Sequence, residues 1–232
     1  MKKKERAVQK MFGQIAGRYD LMNRLMTFGQ DQVWRKCVVR AAARPKGGTL
    51  LDAGTGTGRI GQEALKDDPL ATVVGSDFSL EMMRVGRQRK NGGSMLWCAG
   101  DALYLPFKRA SFDVVTSGYL IRNVSNAVQA FSEQVRVVKP GGRVVCLDTS
   151  PPPDNFFRSA ILFFLNTIIP FLGQLISGNK SAYTYLPEST KEFSTPEQLA
   201  RMMRTAGLAD IKYRKYMFGT IAVHVGSKPR EP

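Results

Sequence analysis

Short apolar runs rich in β-branched residues alternate along the chain with longer amphipathic stretches. Parallel strands need a crossover between them, usually a helix, so this alternation is the mark of βα units around a parallel sheet. Seven runs read as strands: Thr49 to Asp52, Thr72 to Ser76, Met95 to Cys98, Phe112 to Thr116, Arg143 to Leu147, Ile211 to Tyr216 and Ala222 to Ser227. Glycine, proline or aspartate punctuates most of their ends, as turn chemistry requires. Capping chemistry fixes two helix starts. Thr195-Pro196-Glu197-Gln198 offers an N-cap hydroxyl, a proline at the first helical position and a glutamine three residues on, with Gly207 ending that helix. Ser79 caps a helix carrying Met82, Met83 and Val85, its amino end turned back towards the carboxyl edge of the preceding strand, where open sheets bind ligands. The pattern predicts an α/β fold of one domain over residues 1–232: seven strands, mostly parallel, with helices on both faces.

Composition changes this picture in two places. With 43% hydrophobic and 23% charged residues the chain is ordinary for a globular domain, but 34 Lys and Arg against 19 Asp and Glu give a formal charge of +15. That excess favours an anionic partner, namely an acidic lipid surface, an acidic substrate or nucleic acid. The charge does not choose among them: the basic residues are spread (Lys2 to Lys4, Arg84 to Lys90, Lys212 to Lys215) with no zinc finger or RNP-type signature, and a solvated basic surface reads at least as well. The segment Phe156 to Ile176 is strongly apolar, yet Arg158, Asn166, Pro170 and Gln174 interrupt it, whereas a spanning helix wants roughly 20 mostly apolar residues. It reads as an apolar lid inserted at about 151–190, and residues 1–45 as a helical cap. Met1 to Lys10 has no apolar run behind its lysines, so it reads as neither secretory signal nor anchor. The three cysteines, Cys37, Cys98 and Cys146, are odd in number and far apart, so no disulfide framework or metal site is expected and a reducing cytoplasm fits.

The chemistry concentrates where the first strand ends. Leu51-Asp52-Ala53-Gly54-Thr55-Gly56-Thr57-Gly58 is a strand end, a glycine turn and a helix start. Its glycines admit positive φ and let a ligand approach the backbone, while the free N–H groups and positive end of the helix attract an anion such as an amino-acid carboxylate. Counted from the strand end the spacing is GxGxG, with an acid two residues before the first glycine, and the Gly-Lys-Ser/Thr of phosphate loops is absent. Asp77 ends the second strand, where its carboxylate suits both hydroxyls of a ribose. Asp101, after the third, suits an adenine amino group. One strand-end aspartate alone would read as a helix cap; three acids at three consecutive strand ends read as a nucleoside site. After the fourth strand, Lys139-Pro140-Gly141-Gly142 turns into another strand, a layout familiar from methyltransferases and not a hallmark of dehydrogenases.

Several separate motifs then carry a resemblance. Tyr19-Asp20-Leu21-Met22-Asn23 with Trp34, Leu105-Pro106-Phe107, Arg122-Asn123-Val124, Arg136 through Ser150, Tyr183, Tyr185-Leu186, Glu188-Ser189 and Ala222-Val223-His224-Val225-Gly226 occur in order. The chain resembles, from about Met11 to Lys228, the ubiquinone/menaquinone biosynthesis C-methyltransferase family. Thr27, Asp31 and Asp148 depart from it, standing where the family usually has serine, histidine and glutamate, and Gly118 stands for a usual serine. The resemblance implies a class I (Rossmann-like) S-adenosylmethionine-dependent methyltransferase acting on a ring carbon of a prenylated hydroquinone. It implies cofactor contacts at Thr57, Asp77, Asp101, Ala102 and the backbone near Gly118. Together with the glycine turn, Asp52, Gly54, Thr55, Gly56, Gly58, Phe78 and Tyr19 complete the expected cofactor set.

Methylating a phenol ring requires alignment of donor and acceptor and help for a hydroxyl to lose its proton. Arg122 and Asn123, just past the fourth strand, are the candidates for stabilising the phenolate. His224 is the only histidine, and although a strand histidine is most often structural, it is carried as a third catalytic candidate. Tyr183 and Tyr185 alternate, so on an extended segment both would face one surface and line a ring pocket. A prenylated quinol resides in membrane, so the lid and the basic surface are expected to give peripheral contact with anionic lipid, and a homodimer is compatible. The rivals are methylation of another small phenol, a nucleic-acid methyltransferase and a non-catalytic membrane- or RNA-binding module. Ser117-Gly118-Tyr119-Leu120 stands where base N-methylating enzymes carry Asn/Asp-Pro-Pro-Tyr/Phe, and no cysteine follows a proline as cytosine C5 chemistry needs.

Overall fold

The computed structural model describes residues 3–177 and 180–230; Lys2 of the first basic stretch lies outside them. Seven strands pair into one sheet: β1 (Thr49–Ala53), β2 (Thr72–Asp77), β3 (Leu96–Ala99), β4 (Phe112–Gly118), β5 (Val138–Thr149), β6 (Ala209–Tyr216) and β7 (Ile221–Ser227). Their order is β3-β2-β1-β4-β5-β7-β6. The first five are parallel and β7 runs antiparallel to both β5 and β6. All seven expected strands are present within a few residues, except that β5 starts earlier. There the Lys139 to Gly142 turn is a wide bulge: Phe112 pairs with Val138 and Val114 with Arg143, and Gly141 sits at φ +76°. The strand order reverses between β1 and β4, which opens a crevice at their carboxyl ends.

The described residues include ten α-helices: α1 (Lys3–Ile15), α2 (Tyr19–Met26), α3 (Gln30–Ala42), α4 (Arg59–Asp67), α5 (Leu80–Arg87), α6 (Ala127–Val137), α7 (Arg158–Phe163), α8 (Ile169–Ser177), α9 (Lys180–Lys191) and α10 (Pro196–Thr205). Alternation along the strands assigns the two faces. Leu50, Val114 and Val145 pack with Trp34 and Val38 of α3 and Ile60 of α4. Their neighbours Leu51, Val115 and Val144 pack with Phe131 of α6 and Leu199 and Met203 of α10. Within the stretch expected as a cap, α3 is therefore part of the sheet's own helical layer, and only α1 and α2 lie outside it.

A third cluster joins that cap to the lid: Ile15, Met22 and Met26 meet Ile169 and Tyr183. The lid is a near-continuous helix in which a π-turn, Phe164–Ile168, separates α7 from α8. Pro170 has no N–H for Asn166, so the regular bond ladder cannot run through this point, and the wider turn sits directly before it. The expectation that Tyr183 and Tyr185 share one surface is corrected here. They lie on helix α9, where residues two apart diverge by about 200°: Tyr183 is buried in the cap and lid cluster, while the Tyr185 hydroxyl donates to Asn123 Oδ1 at 3.1 Å.

The capping box forms at α10, with Thr195 Oγ1 accepting the Gln198 N–H at 3.3 Å and Gln198 Oε1 accepting the Thr195 N–H at 2.8 Å. Thr195→Ala is expected to lower stability by about 1 kcal/mol, measured as a lower urea midpoint; an unchanged midpoint would refute the cap.

Candidate active site

The glycine turn after β1 is held by a buried carboxylate. Asp52 Oδ2 accepts the Thr55 hydroxyl at 2.7 Å and the Gly61 N–H at 3.4 Å, and Oδ1 accepts the Thr116 hydroxyl at 3.0 Å. Burial pushes its pKa up to about 6 against these donors. Gly54 and Gly58 adopt φ +64° and +74°, and a Cβ there would come within 2.6 Å of Leu120 and 2.5 Å of the Trp97 ring, so both conformation and space demand glycine. Asp77 pins the turn from the next strand, its carboxylate accepting the Gly56 and Ser79 N–H groups at 2.8 Å each. A carboxylate has about four lone-pair sites, so Asp77 keeps capacity for a ligand. Burial raises its pKa.

These groups line a groove of three adjoining cavities along the carboxyl edge of β4, β1, β2 and β3. The first is bounded by Tyr19, Asp52, Gly54 to Thr57, Gly118 and Tyr119. Asp77 and Phe78 line the second, together with Tyr19, Gly56 and Gly118. The third is a slot between Phe78, Asp101, Ala102 and Leu120, in which Asp101 Oδ1 already accepts the Leu103 N–H at 2.9 Å. Every expected cofactor residue except Gly58 lines this groove; Gly58 shapes the turn from behind. The groove fits S-adenosylmethionine part by part: a flat slot with an acid beside it for adenine, a strand-end carboxylate for ribose, and a glycine turn at a helix start for the amino-acid arm.

Helices α1 and α2 roof the groove. Gln9 Nε2 donates to Phe78 O at 2.6 Å. Asp20 accepts the Thr57 hydroxyl at 2.9 Å and pairs with Arg89 at 2.9 Å and Arg59 at 3.8 Å. Sequence reasoning did not single out Asp20, Arg35, Arg59 or Tyr119. Asp20 stands beside Tyr19 in the first motif, and by pattern it is one more helix-start acid.

A fourth cavity meets the groove at Tyr119. Its walls are apolar, with Met26, Phe164, Leu165, Ile169 and Ile221, and polar groups on it include Asn23, Thr27, Arg122, Thr149, Thr190 and Thr220. Arg122 is buried, its Nε 3.3 Å from Asp148 Oδ1 and its Nη1 donating to Ser189 Oγ at 3.1 Å. Burial raises the Asp148 pKa and the Arg122 charge opposes the rise. Asn123 lines the groove side, donating through Nδ2 to Tyr119 O at 2.7 Å. Arg122 lines the cavity and Asn123 the groove, and Tyr185 reaches Asn123 from α9. His224 and Tyr183 are not brought there. His224 is fully buried beneath α10, its Nε2 2.9 Å from Pro196 O, and burial lowers its pKa.

The sheet order with an antiparallel β7 and this groove define a class I S-adenosylmethionine-dependent methyltransferase. The chain belongs to the ubiE/COQ5 methyltransferase family, whose model matches residues 1–228. It is 48% identical over 221 residues, 95% of this chain and 90% of the relative, to the ubiquinone/menaquinone biosynthesis C-methyltransferase UbiE of Desulfotalea psychrophila. It is 42% identical to the demethylmenaquinone methyltransferase of Thermus thermophilus, over 94% of this chain and all of the relative. Among solved structures, phosphoethanolamine N-methyltransferase 2 of Haemonchus contortus, in complex with S-adenosylmethionine, shares the fold with a TM-score of 0.64 at 17% identity, over 85% of this chain and 52% of that one. The cyclase SpnF shares it at 0.70 and 15%, over 97% and 96%. Fold alone thus does not fix the reaction.

Because folding lifts the Asp52 pKa, the native state holds this proton where the unfolded chain has lost it. Its contribution to stability is therefore full below the unfolded value and falls as pH rises towards and through about 6. Relative to Asp52→Asn, the wild-type protein is expected to lose stability between about pH 4 and pH 6.5 in thermal melts; a constant difference across that window would contradict the assignment.

Proposed function

We propose that the chain transfers the methyl group of S-adenosylmethionine to a ring carbon of a prenylated hydroquinone, demethylmenaquinol or a close relative. The observation that carries this reading is the apolar cavity with one buried cation, adjoining the cofactor groove at Tyr119. The names of the relatives support the same acceptor. The cofactor supplies a methyl group already activated on a sulfonium sulfur. The chain's own residues then have to orient the ring and favour loss of the hydroxyl proton. Among the described residues the cavity lining contains no carboxylate and no histidine, so Arg122 is the group that lowers the hydroxyl's pKa, by stabilising the phenolate in a site with little water; the hydroxyl proton, and the proton of the ring carbon that takes the methyl group, would pass to solvent. Asp148 keeps the guanidinium in place, and Asn123 with Tyr185 fixes the wall between ring and methyl donor.

The cavity rim suits a lipid tail and a membrane surface. Phe28 stacks on Phe164 at 5.7 Å and Phe218 meets Phe157 at 5.3 Å. Phe28, Met217 and Phe218 hold φ of +51°, +46° and +54°, and Tyr119 at the cavity holds +57°. Bulky residues rarely adopt this conformation, and such strain gathers at functional sites. Beyond the rim, Phe156, Phe163, Phe171, Leu175, Leu21 and Leu25 are exposed. Arg158–Ile176 is long and apolar enough to cross a membrane, with mean hydropathy 1.8 and 17% of it buried. Its inner residues Phe164, Leu165, Ile169 and Leu172 are committed to the cap cluster, so it would lie along a bilayer surface with its outer face in the acyl boundary. The +15 charge draws that surface to anionic lipid.

Incubation with S-adenosylmethionine and demethylmenaquinol is expected to yield a ring-methylated product by mass spectrometry; methylation of short phenols alone would refute the prenylated acceptor. Arg122→Lys keeps a charge against Asp148 but loses the planar fork, and is expected to lower kcat by about 10- to 100-fold with cofactor affinity little changed. A kcat close to wild type would remove Arg122 from the chemistry. Binding to phosphatidylglycerol vesicles is expected to weaken with salt and with Phe171→Ser/Leu175→Ser, whereas absence of binding at any salt concentration would contradict docking.

A further inference from the structure

We infer that Arg35 is the anchor for the carboxylate of the bound cofactor's amino-acid arm. No sequence motif assigns it a role, and the inference rests on S-adenosylmethionine occupying the groove. The groove has a direction. Asp101 and Phe78 mark the adenine end and Asp77 the ribose, so the arm runs towards the cavity at the glycine turn. The arm ends in a carboxylate, and a carboxylate taken into a largely buried site needs a cation with hydrogen-bond donors.

Two arginines line that cavity, Arg35 and Arg59. Arg59 has a third of its side chain exposed and leans 3.8 Å from Asp20, which Arg89 already holds at 2.9 Å. Arg35 is buried and comes from α3, whose neighbouring Trp34 and Val38 are packed into the sheet layer, so its position is rigid. One of its nitrogens, Nη1, pairs with Asp31 Oδ2 at 2.8 Å. A guanidinium carries five N–H donors in a planar fork, more than the Asp31 pairing uses, and Arg35 lines the cavity. Its charge also acts on the phenols of Tyr19 and Tyr119, which line the same cavity, opposing the rise that burial causes in both.

Asp31 explains how such a cation is tolerated. A buried unpaired charge is costly, and Asp31, itself buried and 3.4 Å from the Thr27 hydroxyl, neutralises Arg35 when no arm is bound. The incoming carboxylate then shares the guanidinium with Asp31. Asp52, which also lines the cavity, accepts from Thr55, Thr116 and Gly61.

The test is calorimetric titration with two ligands: S-adenosylhomocysteine, which carries the arm, and 5′-methylthioadenosine, which has adenine and ribose but no carboxylate. In Arg35→Met/Asp31→Asn, which keeps the site's charge balanced, S-adenosylhomocysteine is expected to bind about 10- to 100-fold more weakly. The affinity for methylthioadenosine should stay unchanged. Asp31→Asn alone removes the competing carboxylate, so preference for S-adenosylhomocysteine over methylthioadenosine should rise, and this variant decides the matter if the double variant does not fold. Equal weakening of both ligands in the double variant, or an unchanged or reduced preference in Asp31→Asn, would overturn the anchor. Failure of the wild-type protein to bind either ligand would instead remove the cofactor reading on which the anchor depends.

Discussion

Three donors converge on the Asp52 carboxylate, and the site depends on that convergence. A turn that carries glycines at positive φ has no regular ladder to hold it, and here side-chain and backbone donors from three segments close on one buried acid while Asp77 pins Gly56 from the neighbouring strand. Two strand-end acids thereby fix the turn against the parallel sheet. The first turn of α4, the open backbone of Gly54 and Gly56 and the position of Thr57 follow from it. Thr57 in turn receives Asp20 from α2, so the roof over the groove is registered on the same turn. The cost is two carboxylates whose pKa values burial raises, an expense in stability at neutral pH that function repays.

What the sequence revealed was governed by local rules. Strand runs, the Ser79 cap, the Thr195 box and the glycine turn each depend on residues a few positions apart, and all appear within a few residues of where expected apart from the early start of β5. The acids Asp77 and Asp101 were legible because strand ends in a parallel sheet share one edge. Tyr183 and Tyr185 were misread because alternation was weighed as an extended segment, whereas the chain there is helical. His224 looked chemical as the lone histidine, but β7 turns it under α10, a contact between segments 28 residues apart that no local pattern encodes. Arg35 and Asp20 were hidden for the same reason. On a helix each is an ordinary charge, and only the packing of α2 and α3 beside the glycine turn brings Asp20 to Thr57 and Arg35 to the lining of the groove.

The cap and the lid form one assembly, because Met22 and Met26 of α2 share a cluster with Ile169 and Tyr183. The proposed acceptor cavity therefore lies between the rigid sheet edge, which carries Arg122, and an apolar cover whose outer surface is exposed. A water-soluble phenol needs no such cover. A quinol with a hydrocarbon tail does, since the head must enter a polar, cation-bearing site while the tail stays in apolar surroundings. On the proposed reading, the strained aromatic rim joins these two environments.

The central claim is that the groove on the carboxyl edge holds S-adenosylmethionine with Asp77 at the ribose. The most direct measurement is calorimetric titration of the wild-type chain and Asp77→Ala with S-adenosylhomocysteine, with circular dichroism confirming that both are folded. The account predicts micromolar binding by the wild type and a loss of at least about 30-fold in the variant. Equal binding by the two folded proteins would contradict the role of Asp77, and no binding by the folded wild type would contradict the site.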